Sequence, residues 1–222
     1  DMRTQGIELS LSTTNIETKE LSWSSSLTLS LMNQKITRLR NTPNALDMVA
    51  GRGRGNLVGY PKGSLFSYNF QGLNSHGLPT FDFGLYPTNH GEDANVYSAD
   101  FSDTQYTKSY LTYYGPIEPQ IIGGLSNTLR YGLWDLSLFI TVQAGNKIRL
   151  NPTFDPTFAD LNVFSGEYRN RWMNPGDEQH TDVPTIPSQD LINAVGRENI
   201  ERAYSTYNYS QLRVADGSFV RL

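Results

Sequence analysis

The sequence predicts an all-β fold, a segment of an antiparallel transmembrane β-barrel with long extracellular loops and minor helix within those loops. Three observations carry that prediction. Two hairpins place apolar residues at every second position, their opposite faces are largely uncharged hydroxyls, and the polar excursions between hairpins far exceed ordinary turns. Composition agrees: hydrophobic residues make up only 37% of the 222 residues, while 19 Gly, 11 Pro, 13 Tyr and 10 Phe favour sheet and loop over helix. With 18 basic and 22 acidic residues the net charge is −4, which argues against a nucleic-acid partner. The absence of cysteine excludes a disulfide framework, a thiolate nucleophile and any Cys-ligated metal.

Residues 6–14 alternate Ile7, Leu9 and Leu11 with Glu8, Ser10 and Ser12, a period-two strand. Beyond a polar turn at 15–19, residues 21–33 set Leu21, Trp23, Leu27, Leu29 and Leu31 against Ser22, Ser24, Ser26, Thr28 and Ser30. The two strands predict a hairpin, and the second is longer than the five or six residues typical of soluble sheets. Residues 37–63, including the run Gly51-Arg52-Gly53-Arg54-Gly55, read as an excursion, followed by a short strand over 65–70 and a turn over 72–79. Residues 80–109 show no period and read as a long loop. A second hairpin follows, with Leu125, Asn127 and Leu129 on one strand. A Gly132-Leu133-Trp134 corner then leads to Leu136, Leu138, Ile140 and Val142 against Ser137, Phe139, Thr141 and Gln143. Beyond Gly145 the chain is irregular, with helix predicted over 160–173 and over 189–204, the latter started by Pro187-Ser188. Gly217-Ser218-Phe219-Val220-Arg221-Leu222 reads as the opening of a strand.

No run of about eighteen apolar residues exists, the best stretch at 133–142 being interrupted by Asp135 and Ser137, so no membrane helix is predicted. A membrane strand needs only about ten alternating residues. Asp1-Met2-Arg3 lacks the charged and apolar regions of a signal peptide, and the chain is expected to be an excised piece whose ends cut through sheet. Periodicity alone also fits a soluble cell-surface β-sandwich that binds carbohydrate; the length of the loops favours the barrel. Tyr110, Tyr113, Tyr114, Tyr131 and Trp134 fall at strand ends, where a membrane-interface girdle would sit.

Catalytic and metal chemistry find little support. His76, His90 and His180 are far apart and lack metal-ligand spacing, and Glu92, Asp93, Asp100 and Asp103 lack the spacing of a calcium loop. The glycine run at 51–55 lacks the Lys-Ser/Thr of a phosphate loop, and Ser126 lacks the context of a nucleophile elbow. No pair of carboxylates suggests glycoside hydrolysis. An enzyme is not expected, nor is a cofactor or metal. What remains is binding: Tyr97, Tyr106, Tyr110, Tyr113, Tyr114, Tyr168 and Trp172 lie in or beside the loops, where aromatic faces can stack on sugar rings or peptide side chains.

The run Tyr114-Gly115-Pro116-Ile117-Glu118-Pro119-Gln120-Ile121-Ile122-Gly123-Gly124-Leu125-Ser126-Asn127-Thr128 resembles a late-barrel segment of the SusC/RagA family of TonB-linked outer-membrane proteins. So do Arg171-Trp172-Met173-Asn174-Pro175-Gly176-Asp177 with Val183-Pro184, the closing residues 216–222, and the upstream strands Gly6-Ile7-Glu8-Leu9 and Leu21-Ser22-Trp23-Ser24. The resemblance spreads over most of the chain in the family's order. It implies a Gram-negative outer-membrane barrel embedded in the lipid bilayer, importing glycans or oligopeptides with a SusD-like lipoprotein as lid. Energy would come from the TonB complex through an N-terminal plug that these residues do not include. On that resemblance residues 1–222 form one partial barrel region, without plug, TonB box or last strands.

Overall fold

A computed structural model describes residues 1–49, 55–83, 110–152 and 165–222. The period-two segments form β1 (Met2–Glu17) and β2 (Leu21–Ile36), an antiparallel hairpin in which Leu9 faces Leu29 and Leu11 faces Leu27. A bulge between Thr14 and Ile16 shifts the register near the turn. Residues 37–120 then leave the sheet and return. On the way they form α1 (Ala45–Val49), β3 (Ser64–Leu73), β4 (Pro79–Asp82) and β5 (Leu111–Pro116). Next come β6 (Ile121–Tyr131) and β7 (Trp134–Ala144), joined by a tight turn in which Gly132 takes φ +57°, a conformation that suits a hairpin loop.

A second excursion carries β8 (Lys147–Arg149), 3-10 turns at Gly166–Asn170 and Asp177–Gln179, α2 (Gln189–Val195), α3 (Arg197–Asn208) and β9 (Val214–Asp216). The chain then rejoins the sheet as β10 (Phe219–Arg221), paired with β7.

The resulting five-stranded antiparallel sheet has the order β1-β2-β6-β7-β10. It is open, with β1 and β10 at its edges, so the described residues do not close a barrel. Both short turns lie at one end, where the Gly132 N–H donates to the Glu20 carbonyl oxygen at 3.0 Å. Both excursions leave from the other end, and they fold together.

β3 is the centre of a small three-stranded sheet ordered β4-β3-β5. Met48, Phe66, Tyr68, Phe81, Tyr110 and Tyr204 bury against one another there. Among the described residues this aromatic globule is the hydrophobic core, and the large sheet contributes almost nothing to it.

Several expectations need correction. The excursion at 37–63 contains a helix, the strand expected over 65–70 is longer, and the turn expected over 72–79 runs directly into β4. The helix expected over 189–204 is two helices. Gly196, at φ +94°, breaks it, and the Ser188 hydroxyl caps α2 by accepting from the Leu191 N–H at 3.2 Å. Only the 3-10 turn at Gly166–Asn170 appears within the described part of 160–173. The loop expected over 80–109 lies outside the described residues from 84 onward, and its first residues belong to β4.

The sandwich alternative gains no support among the described residues. It required Leu136 and Leu138 to be covered by a second sheet, yet they are 52% and 42% exposed, and no second sheet stacks on them among the described residues.

Candidate functional site

The site has two parts, a two-faced wall and the aromatic globule at its end. Register fixes the faces of the wall, because residues paired across antiparallel strands share a side. Ile7, Leu31, Ile121 and Ala144 form one row. Leu9, Leu29, Gly123, Val142 and Val220 form the next, and Leu11, Leu27, Leu125 and Ile140 the third. Toward the short turns, Trp23, Leu129 and Leu136 make another, and Leu21, Tyr131 and Trp134 the last. The nine positions expected to lie together (Leu21, Trp23, Leu27, Leu29, Leu31, Leu136, Leu138, Ile140 and Val142) do share one face.

From Leu21 to Leu31 the strand rises about 34 Å at about 3.4 Å per residue. A tilt of about 40° reduces this to about 26 Å, the height of the apolar band of a bilayer-spanning barrel. Ile7, Leu9, Leu11 and Leu136 are each at least half exposed, so nothing among the described residues covers these positions of the band.

The opposite face carries Ser12, Ser26, Ser126 and Phe139 in one row and Ser24, Thr128 and Ser137 in another. Ser12 and Ser26 hydroxyls lie 3.3 Å apart. Near the turns Arg130 donates to Asp135 at 2.8 Å on this face.

One row interrupts the apolar face, and alternation alone did not reveal it as a unit. Thr13, Ser25 and Asn127 stand side by side across β1, β2 and β6. The Asn127 side-chain oxygen accepts from the Ser25 hydroxyl at 2.7 Å and the Trp23 indole N–H at 3.3 Å. Asn15, at the bulge, donates to Ser25 at 2.7 Å and accepts from the Thr13 hydroxyl at 2.9 Å. Mutual bonding lowers the cost of polar groups on an apolar surface. The available signal was the coincident gap in both patterns, Ser25 between Trp23 and Leu27 and Asn127 between Leu125 and Leu129.

The aromatic expectations divide. Tyr131 and Trp134 do sit at the short-turn end of the apolar face, Trp134 80% exposed, as girdle residues would. Tyr110 and Tyr113 instead belong to the globule, and Tyr114 lies beside them on β5. Tyr110 is 0% exposed, its ring parallel to Tyr68 at 6.1 Å and 5.8 Å from Phe83, so it has no face to offer a ligand. Tyr168 is also buried, and burial pushes its hydroxyl pKa upward. Tyr113 is half-buried, edge-on to Tyr60 at 4.9 Å and tilted against Phe66 at 5.5 Å, and burial raises its pKa as well.

Tyr114 is half-buried, its pKa raised by burial. Trp172 is half-buried too, its indole N–H donating to Glu178 at 2.9 Å. That bond, with the Glu178 and Gly176 backbone N–H groups, holds the Glu178 carboxyl below its ordinary range. Tyr97 and Tyr106 lie outside the described residues, as do His90 and the acidic residues at 92–103. Among the described residues no group of His, Asp or Glu could hold a metal.

Trp172 is positioned by Gly77. At φ +72° this glycine closes the turn between β3 and β4, and a Cβ there would stand 2.6 Å from the Trp172 ring. Gly77→Ala is expected to destabilise the turn by about 2–4 kcal/mol through backbone strain plus overpacking. Faster hydrogen exchange at the Gly77 and Leu78 amides would report it, and unchanged exchange would contradict it.

Arg149 joins β8 to the globule. Its guanidinium donates to the carbonyl oxygens of Phe66 at 2.6 Å, Val49 at 3.2 Å and Ser210 at 3.2 Å, and to the Ser67 hydroxyl at 3.1 Å. It also lies 5.4 Å from the centre of the Tyr209 ring. Desolvation lowers its pKa to about 10, partly offset by Tyr209 and Tyr68, so it stays charged near neutrality. Arg213, buried nearby, donates to Glu167 at 2.7 Å and to the Asn151 carbonyl. Sequence reasoning missed both arginines, since nothing local distinguishes a buried arginine from a solvated one.

No known family model matches the chain. It is 23% identical, over its whole length, to TonB-dependent receptor P3 of Formosa agariphila, of which it covers 21%. Its fold is similar to part of a chain in the RagAB peptide transporter (TM-score 0.58, 19% identity, all of this chain and 22% of that one). It is likewise similar to the same importer in its open-open state (TM-score 0.57, 20% identity, all of this chain and 21% of that one). The closed-closed state gives TM-score 0.58 and 20% identity over all of this chain and 22% of that one. The chain thus spans about a fifth of the length of these proteins, which by name are a receptor and a transporter rather than enzymes.

Proposed function

We propose that this chain is a stretch of the wall and outer cap of a TonB-dependent outer-membrane importer of the SusC/RagA type. Residues 1–222 form a single partial barrel region of it, in a Gram-negative outer membrane. The observation that carries the reading is the apolar face, which runs across four paired strands with one mutually bonded polar row within it, is about as tall as a bilayer's apolar band, and is backed by a hydroxyl face suited to a wet lumen. The likeness to TonB-dependent receptor P3 and to the RagAB peptide transporter supports the same reading.

In the complete protein the globule lies outside the cell, where a SusD-like lipoprotein closes over it. The cargo is an oligopeptide or a glycan, contacted by aromatic faces such as Tyr113, Tyr114 and Trp172, while Tyr110 and Tyr168 hold the globule together. The TonB complex acts through a plug elsewhere in the complete protein. Side-chain labelling tests the orientation, made simple by the absence of cysteine from this chain. In the full-length protein, Leu46→Cys in α1 is expected to react with a membrane-impermeant maleimide on intact cells, and Leu133→Cys at the short turn only after the outer membrane is permeabilised. The reverse pattern would contradict the proposal.

A further inference from the structure

At the globule end of the apolar face, β1 and β2 place Arg3 directly opposite Lys35. Two like charges facing each other across a strand pair are destabilising unless something else neutralises them. Both side chains are exposed, and neither has a carboxylate within salt-bridge distance among the described residues. The charged side chains nearest in sequence on these strands do not relieve them: Glu8 points to the opposite face, and Asp1 forms no ion pair with either.

Alternation puts Arg3 and Lys35 on the same side as Ile7 and Leu31, with only the Gln5–Asn33 row between. Arg3 is therefore about 14 Å along the strand from the first apolar row, or about 10 Å along the bilayer normal at a tilt of about 40°. Headgroups begin within that distance, and long basic side chains reach along the surface toward them. A cleft of about 230 Å³ opens at this place, lined by Arg3, Gln5, Asn33 and Lys35 together with Gln34, Gly59 and Pro61. Gln5 and Asn33 add amide donors below the two cations.

We propose that this cleft binds the phosphate of an anionic lipid headgroup in the outer leaflet, Arg3 and Lys35 clamping the phosphate while the acyl chains lie along Ile7, Leu9 and Leu31. The inference rests on the membrane reading above and adds a ligand to it. Lipid phosphate satisfies the paired cations, the polar row and the apolar rows together, which a free anion does not.

The test uses the full-length protein, purified in neutral detergent from its outer membrane, and native mass spectrometry of retained lipid. The probes are a bis-phosphorylated lipid A, its dephosphorylated counterpart and inorganic phosphate. The parent is expected to prefer the phosphorylated lipid, and the Arg3→Gln/Lys35→Gln double variant to lose about thirtyfold of that preference, at about fivefold per basic residue near the surface. Millimolar inorganic phosphate is expected not to compete. Equal retention of both lipids by the parent, or an undiminished preference in the double variant, would overturn the proposal, and so would effective competition by inorganic phosphate. If the double variant assembles poorly, Lys35→Gln alone decides the same question: a loss of about fivefold is expected, and no loss would overturn the proposal. Fractionation of the parent separates the two claims. A parent absent from the outer membrane refutes the membrane reading itself, whereas a parent present there without phosphate preference refutes only the lipid site.

Discussion

Leu138→Arg is expected to cost about 2–4 kcal/mol of assembled stability in the full-length protein, while Ser137→Arg, one residue away, costs little. Leu138 shares its side with Leu136, Ile140 and Val142, and Ser137 is paired with Thr128 on the hydroxyl face. In the proposed setting the first arginine would enter hydrocarbon near mid-bilayer and the second a wet lumen. Resistance to unfolding by heat or urea in detergent or vesicles would measure the difference. Equal losses at both sites would remove the sidedness on which the transport reading depends.

Arg149→Met is expected to destabilise the globule by about 3–5 kcal/mol while leaving the large sheet paired. The substitution removes donors to Val49, Phe66, Ser67 and Ser210 at once, leaving carbonyl oxygens from α1, β3 and the segment just after α3 without them. Arg149→Lys should recover less than half, because one ammonium cannot reproduce a planar fork that reaches acceptors on three segments. Protease sensitivity within 55–83 and 197–213, measured on cells carrying the full-length protein, would show the loss. A globule as resistant as the parent's would mean that aromatic packing alone holds it.

The two long hairpins were legible because a strand exposed differently on its two faces must alternate, and β1, β2 and β7 do so over most of their length. α1, β4 and β5 were not, because each is short and is specified by what it packs on. Leu111 to Pro116 contains no sustained period and becomes a strand by pairing with β3. The aromatic residues were harder still. In sequence Tyr110 and Tyr168 look like loop residues available to a ligand, yet the loops build a core of their own, and those rings fill it. Phe66, Tyr68 and Phe70, with Phe81 and Phe83 following, hinted at that core, since so many rings close together rarely all remain in water. Gly77 shows the same limit: its need for φ +72° is local, but its contact with Trp172 belongs to the tertiary fold.

The central claim, that one face of this sheet meets lipid and the other water, is tested most directly by spin labels placed singly at positions 26 to 31 of β2 in the full-length protein reconstituted into vesicles. The account predicts alternation. Labels at Leu27, Leu29 and Leu31 should be reached by oxygen dissolved in the bilayer, and labels at Ser26, Thr28 and Ser30 by a water-soluble nickel chelate. Uniform protection from both reagents, or lipid accessibility at the serine and threonine positions, would contradict it.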